Sequence, residues 1–268
     1  MRLAIIDYHL RQPDHLVCAQ AKAWGLPALE LSRTAPLPEH RWLARQDGAG
    51  RWYSAATALG IALDSISATF AYEWPPIDRQ YRLDSTSIGA LAELVETAGY
   101  LNIPVVHVPL LELPAPRQEY HQKNLLAALG PSVDIARDRR LRLCLETYWP
   151  VSSLRELCEA EPGVLQVSLD SGNIVALGRN PVQEMAELGS HLGQLRVRER
   201  RRHEIFRSLP IGHGDVPWSA LQQQIVSMAN RPQLVLAATG GATLMEAYAS
   251  ATRLLYQLVQ EPHLSRVA

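Results

Sequence analysis

The feature that most constrains this chain is a rhythm. A short apolar run is followed by a helical segment, and the pair recurs about eight times at intervals of roughly 30 residues. Strands that alternate with helices pair in parallel, because each helix returns the chain to begin the next strand beside the last. The runs fall at 2–7, 28–32, 61–70, 103–108, 141–146, 164–170, 193–199 and 233–237. Helices are expected over 13–24, 52–59, 85–99, 120–129, 151–160, 181–188, 218–228 and 243–259. Asp84 serves as a cap before the third, and Pro181 as the first residue of the sixth. A Pro/Arg-rich stretch up to Gly50 reads as a long loop. The fold predicted is a single (β/α)8 barrel spanning 1–268, a length that suits one barrel of about 250 residues. An open doubly wound sheet is the rival, but no G-x-G-x-x-G follows the first strand.

In such a barrel the chemistry sits at the C-terminal ends of the strands. Two runs end there in an acid: Leu141-Arg142-Leu143-Cys144-Leu145-Glu146, and Val164-Leu165-Gln166-Val167-Ser168-Leu169-Asp170. Tyr8 and His9 follow the first strand, His107 ends the fourth, and Tyr148 follows the fifth. Arg196, Arg198 and Glu199 lie on or just past the seventh, and His213 stands between Gly212 and Gly214. His107 reads equally as a site residue and as a satisfied core histidine.

Composition removes several function classes. The formal net charge is −1, so the Arg198–Arg202 cluster, without aromatic interleaving, does not make a nucleic-acid protein. No segment reaches the roughly 18 apolar residues of a membrane span, and no signal-peptide pattern opens the chain. A cytoplasmic protein is expected. Cys18, Cys144 and Cys158 show neither metal spacing nor a pairing pattern.

Over residues 141–238 the chain resembles the xylose isomerase-like TIM barrels, which include sugar-phosphate isomerases and epimerases, inosose dehydratases and endonucleases of the type IV class. Leu143-Cys144-Leu145-Glu146 is similar to the family's fifth-strand "LE", and Leu169-Asp170-Ser171-Gly172-Asn173 to its "D-x-G-H". Arg196-Val197-Arg198-Glu199 falls where the family has "H-x-K-D", and Gly212-His213-Gly214-Asp215-Val216-Pro217-Trp218 matches a "G-x-G" turn before the seventh helix. The resemblance implies that Glu146 and Asp170 descend from metal ligands. The strand-seven His is here Arg196, its Asp is Glu199, the strand-six His is Asn173, and the last strand ends in Ala237-Ala238 with no acid.

Two carboxylates at one barrel mouth repel unless a cation lies between them. The family uses a divalent metal; here the guanidinium of Arg196 is expected to take that place. No cofactor is therefore expected, while a weakly bound Mn, Mg or Zn on Glu146 and Asp170, or a site rebuilt from His107, Glu112 and His213, stays open. The reading implied is an isomerase, epimerase or lyase acting on a small hydroxylated or carboxylated, polar or anionic metabolite. Glu146, Asp170 and His107 would move protons next to a carbonyl. Arg196, Arg198, Glu199, His213, Asn173, His9 and Tyr148 would contact substrate. A homodimer is compatible with this. The alternative is a non-catalytic descendant that binds a ligand or partner.

Overall fold

A computed structural model describes residues 1–12, 14–34 and 46–255. Its strands are β1 (Leu3–Ile6), β2 (Ala28–Ser32), β3 (Ala62–Ser67), β4 (Val105–Pro109), β5 (Arg142–Glu146), β6 (Leu165–Asp170), β7 (Leu192–Val197) and β8 (Gln233–Leu236). They close in sequence order into a barrel, and the strand pairings described are parallel. Helices α1 (Asp14–Ala23), α2 (Gln46–Leu59), α3 (Ser85–Tyr100), α4 (Glu119–Arg139), α5 (Val151–Ala160), α6 (Ser171–Ala176), α7 (Pro181–Leu188), α8 (Trp218–Ser227) and α9 (Leu244–Leu254) lie between and after them. The fold is the expected (β/α)8 barrel. Strands covered on both faces need near-continuous apolar sequence, and every residue of β1, β2, β4 and β7 is buried.

The chain gathers into two compact units. One is Ile6–Ser168; the other is Met1–Ile5 with the chain from Leu169 onward. In the first, α3 begins at an Asp84 cap that accepts the Ser87 N–H at 3.0 Å. In the second, Asn180 caps α7 with Pro181 in its first turn, and Thr243 and Glu246 form a reciprocal capping box on α9.

Some boundaries differ from expectation, each for a local reason. The third strand ends at Ser67, and Thr69–Tyr72 is a 3-10 turn, because Ala68 N–H turns to the His107 carbonyl and Phe70 N–H to that of Arg33. Helix α4, expected over 120–129, runs from Glu119 through to Arg139. Leu125, Ala128, Leu129, Ser132, Val133 and Ala136 form one buried stripe along it, and that packing offsets the hydrogen bond Pro131 forfeits. α2 starts at Gln46, ahead of the expected residue 52. Helix α6, just after β6, was not anticipated. Most of the stretch read as a long loop, and the end of the expected closing helix, lie outside the described residues. Cys18, Cys144 and Cys158 are buried free thiols. Among the described residues no helix is long and apolar enough to cross a membrane.

Candidate functional site

Within the Ile6–Ser168 unit, three adjacent strands deliver a row of buried polar groups. Ser67 is the last residue of β3 and lies in register with His107 on β4; Glu146 is the last residue of β5. Ser67 Oγ is 2.8 Å from His107 Nδ1, and His107 Nε2 is 2.9 Å from Glu146 Oε2. Ser67 and His107 are fully buried and Glu146 is 2% exposed. Of the two readings of His107, the structure describes the satisfied buried histidine, and the group that satisfies its Nε2 is the strand-end acid. Two residues earlier on β3, Ser65 Oγ donates to Glu30 Oε2 at 2.7 Å, and both residues are wholly buried.

The same unit contains an acid that the sequence reading passed over. Asp7 directly follows β1 and precedes the candidates Tyr8 and His9. Its Oδ1 accepts the Tyr8 N–H (2.8 Å) and its Oδ2 the Ser32 N–H (3.0 Å). Burial outweighs these bonds and pushes the carboxyl up to about 7, with Glu30 adding repulsion. The sign of the consequence is definite. An acid whose folded pKa lies above its unfolded value of 3.8 binds its proton more tightly when folded. Its stabilising contribution is complete below about pH 4 and is lost as pH rises through 7. Stability should therefore fall between pH 4 and 7 with a contribution of up to about 1.4 kcal/mol per pH unit from this one group. In urea titrations at several pH values, Asp7→Asn should flatten that slope whatever its effect on absolute stability. An unchanged slope would remove Asp7 as its source.

The other sequence candidates in this unit are more peripheral. Tyr8 is exposed and His9 half-buried, with ring centroids 4.5 Å apart. Tyr148 is half-buried, while its neighbour Trp149 turns inward and donates from Nε1 to the Leu113 carbonyl at 2.7 Å. Glu112 is exposed.

In the second unit the strand-end acid is held by an arginine. Arg198 Nε donates to Asp170 Oδ2 at 2.6 Å, and the Asp170 side chain is 1% exposed. Asp170 Oδ1 accepts the Asn173 N–H at 2.9 Å, which makes it the N-cap of α6. Ser171 Oγ accepts from Arg198 N–H and donates to the Arg198 carbonyl at 2.8 Å. Gly172 is what lets the arginine lie this close: a Cβ there would meet Arg198 Cγ at 2.9 Å. Arg198 Nη1 also reaches Ser208 Oγ at 3.4 Å. The sequence reading assigned the acids to Arg196. In the structure the described ion pair of Asp170 comes from Arg198, the residue just past the end of β7. Arg196, 3% exposed, donates from Nη1 to Gln194 at 3.3 Å. Asn173, 5% exposed, lies in α6.

Glu199, read as a substrate contact, has a different setting. It is fully buried, and its carboxylate accepts from Gly212 N–H (2.8 Å), Val216 N–H (3.1 Å) and Trp218 Nε1–H (2.6 Å). It pins the Gly212–Trp218 turn, on which His213 is exposed. Its backbone bridges to Leu209 and closes a loop in which Arg201, Arg202, Phe206 and Arg207 face solvent.

The carboxylates of each unit can be tested, unit by unit, against a divalent ion. Asp170 gives one oxygen to a guanidinium and the other to a backbone N–H; Glu146 receives His107; β7 brings Arg196, and β8 runs out into Ala237 and Ala238. Among the described residues no group of three or more His, Cys, Asp and Glu side chains could hold a metal ion.

The sequence model of the xylose isomerase-like TIM barrel matches residues 18–250. No curated protein matches the chain at a significant level. Among solved structures, a xylose isomerase domain protein from Planctomyces limnophilus superposes with a TM-score of 0.74 at 16% identity, covering 96% of each chain. D-psicose 3-epimerase from Clostridium cellulolyticum H10, solved with D-tagatose, gives 0.68 at 13%, covering 96% of this chain and 98% of that one. A xylose isomerase-like TIM barrel protein from Mycobacterium smegmatis in complex with magnesium gives 0.69 at 13%, covering 96% of each. At these identities the likeness shows the fold alone.

Proposed function

The chain belongs to the xylose isomerase-like TIM barrel family, and from that premise we propose that it is an enzyme moving a proton next to a carbonyl of a small hydroxylated or carboxylated metabolite. The observation that carries this reading is the buried His107–Glu146 pair at the ends of β4 and β5. A neighbouring ring nitrogen 2.9 Å away keeps the carboxylate oriented, as a general base must be. Glu146 takes the proton from the carbon beside the carbonyl, and the electron pair moves into the carbonyl to give an enediolate. Returning that proton from Glu146 to the former carbonyl carbon, while the hydroxyl proton passes from one enediolate oxygen to the other, isomerises the substrate; giving it to a departing β-hydroxyl, which leaves as water, dehydrates it; and a solvent water that protonates the opposite face, with Glu146 losing its proton back to solvent, epimerises it. None of these steps needs a redox partner. In the other unit, taken by itself, we assign Arg198, which Asp170 and Ser208 hold in place, as a group able to receive a polar or anionic moiety.

The Mycobacterium smegmatis xylose isomerase-like TIM barrel protein was solved in complex with magnesium. Here Asp170, the strand-six carboxylate, does not fit a divalent ion, because a permanent guanidinium charge already neutralises it. The reading is therefore of a reaction without a metal. Protein stripped with a chelator should convert at least one member of a panel of ketoses, hydroxy keto acids and their phosphates. Turnover that appears only after adding Mn²⁺, Mg²⁺ or Zn²⁺ would refute the metal-free reading.

A second reading, a ligand-binding descendant without turnover, draws on the same pairing. Glu146, Asp170, Glu30 and Glu199 all have protein partners, as they would in a barrel that kept its interior but lost its chemistry. Saturable binding of a panel member with no conversion would favour it.

A further inference from the structure

We propose that Ser67 is the positioning residue that makes Glu146 a base, by donating its hydroxyl proton to His107 Nδ1 and so leaving Nε2–H to face the carboxylate. The inference rests on the proposed role of Glu146 and adds the group that sets its protonation state. A neutral imidazole carries one N–H, and the two ring nitrogens of His107 face different partners: Ser67 Oγ at 2.8 Å and Glu146 Oε2 at 2.9 Å. If the N–H lay on Nδ1, the bare Nε2 lone pair would meet the carboxylate. Two acceptors 2.9 Å apart repel, so Glu146 would itself have to hold a proton and could not take one from substrate. With the N–H on Nε2, Glu146 stays an anion and Nδ1 needs a donor. Ser67 is that donor, since a hydroxyl rotates to suit its partner.

The setting makes the choice matter. Ser67 and His107 have no solvent exposure, so a ring nitrogen that lost its partner could not turn to bulk water. Both residues sit on strands and are in register, which fixes their spacing more firmly than a loop would. The neighbouring hydroxyl on the same face of β3, Ser65, also acts as a donor, to Glu30. The strand thus places two buried hydroxyls in the same role, one on an acid and one on an imidazole.

The test is the tautomer itself. Long-range ¹H–¹⁵N correlation of histidine-labelled full-length protein, with the His107 signals identified by their loss in His107→Asn, should show a neutral ring protonated on Nε2. Ser67→Ala should move that signature, and Ser67→Thr, which keeps the hydroxyl, should restore it. With a panel compound that the parent protein converts, Ser67→Ala should lower kcat about tenfold, near 1.4 kcal/mol, with KM little changed. A ring protonated on Nδ1 alone, a charged ring, or a signature unmoved in Ser67→Ala overturns the proposal. So does an unchanged kcat in a variant whose tautomer has moved. An Nε2–H tautomer in a protein whose Glu146→Gln variant stays fully active would instead overturn the catalytic reading and leave the hydrogen-bond assignment standing.

Discussion

Glu146→Gln should abolish exchange of the substrate's carbon-bound proton while leaving the protein folded. Gln is nearly isosteric and keeps a carbonyl oxygen that can accept from His107 Nε2–H, so the 2.9 Å contact survives in one amide orientation. What it lacks is basicity. Removal of a positioned general base costs about 10²–10⁴-fold in rate, or roughly 3–5 kcal/mol at the transition state. The loss should appear in kcat, with substrate affinity changed far less, since the proton transfer belongs to the transition state and not to binding. A thermal unfolding midpoint close to that of the parent is part of the expectation. A variant that retains activity within a few-fold would show that Glu146 is a buried structural acid and no more.

The largest effect on stability is expected at Glu199, in a place where the sequence suggested substrate. Its carboxylate satisfies three donors at 2.6–3.1 Å, and it has no exposure to solvent. Glu199→Ala would leave the Gly212 and Val216 amides and the Trp218 indole without that acceptor. Each buried donor deprived of a partner costs about 1–3 kcal/mol, so a loss of roughly 3–5 kcal/mol overall is expected. At about 2–4 °C per kcal/mol this lowers the unfolding midpoint by roughly 10 °C. The space is shared: a Cβ on Gly214 would lie 2.5 Å from both Glu199 Oε1 and the Arg200 carbonyl, so Gly214→Ala should give a milder form of the same defect. Calorimetry reads the midpoint, and limited proteolysis should place new cleavage at 212–216. A Glu199→Ala protein that melts with the parent would return Glu199 to the list of substrate contacts.

The strand–helix rhythm made the barrel legible because burial on both faces requires continuous apolar strands, which contrast sharply with the amphipathic helices between them. The acids at 146 and 170 were legible for the same reason: each ends such a run. Their partners were not. Ser67 sits in Asp64-Ser65-Ile66-Ser67, where the alternation of small hydroxyls with apolar residues signals one polar face, but nothing local says that the face meets a histidine 40 residues later. Arg196 lies on β7 and Arg198 just past its end, and nothing in the local sequence says which of them reaches Asp170. Asp7 was hidden by the more conspicuous Tyr8 and His9 beside it; its raised pKa comes from burial, which a strand end does not announce. Glu199 shows the limit of reasoning from position. It stands where the family places a site acid, yet three N–H groups from a turn more than ten residues away claim it.

The measurement that bears most directly on the central claim is solvent deuterium uptake into substrate. Chelator-treated protein is incubated in D2O with a panel of ketoses, hydroxy keto acids and their phosphates, and the recovered compounds are read by proton NMR and mass spectrometry. The account predicts one deuterium at the carbon beside the carbonyl of at least one compound, placed there by the parent protein and not by Glu146→Gln. Label that never appears, with a panel member bound and returned unchanged, would contradict it and make the barrel a binding protein.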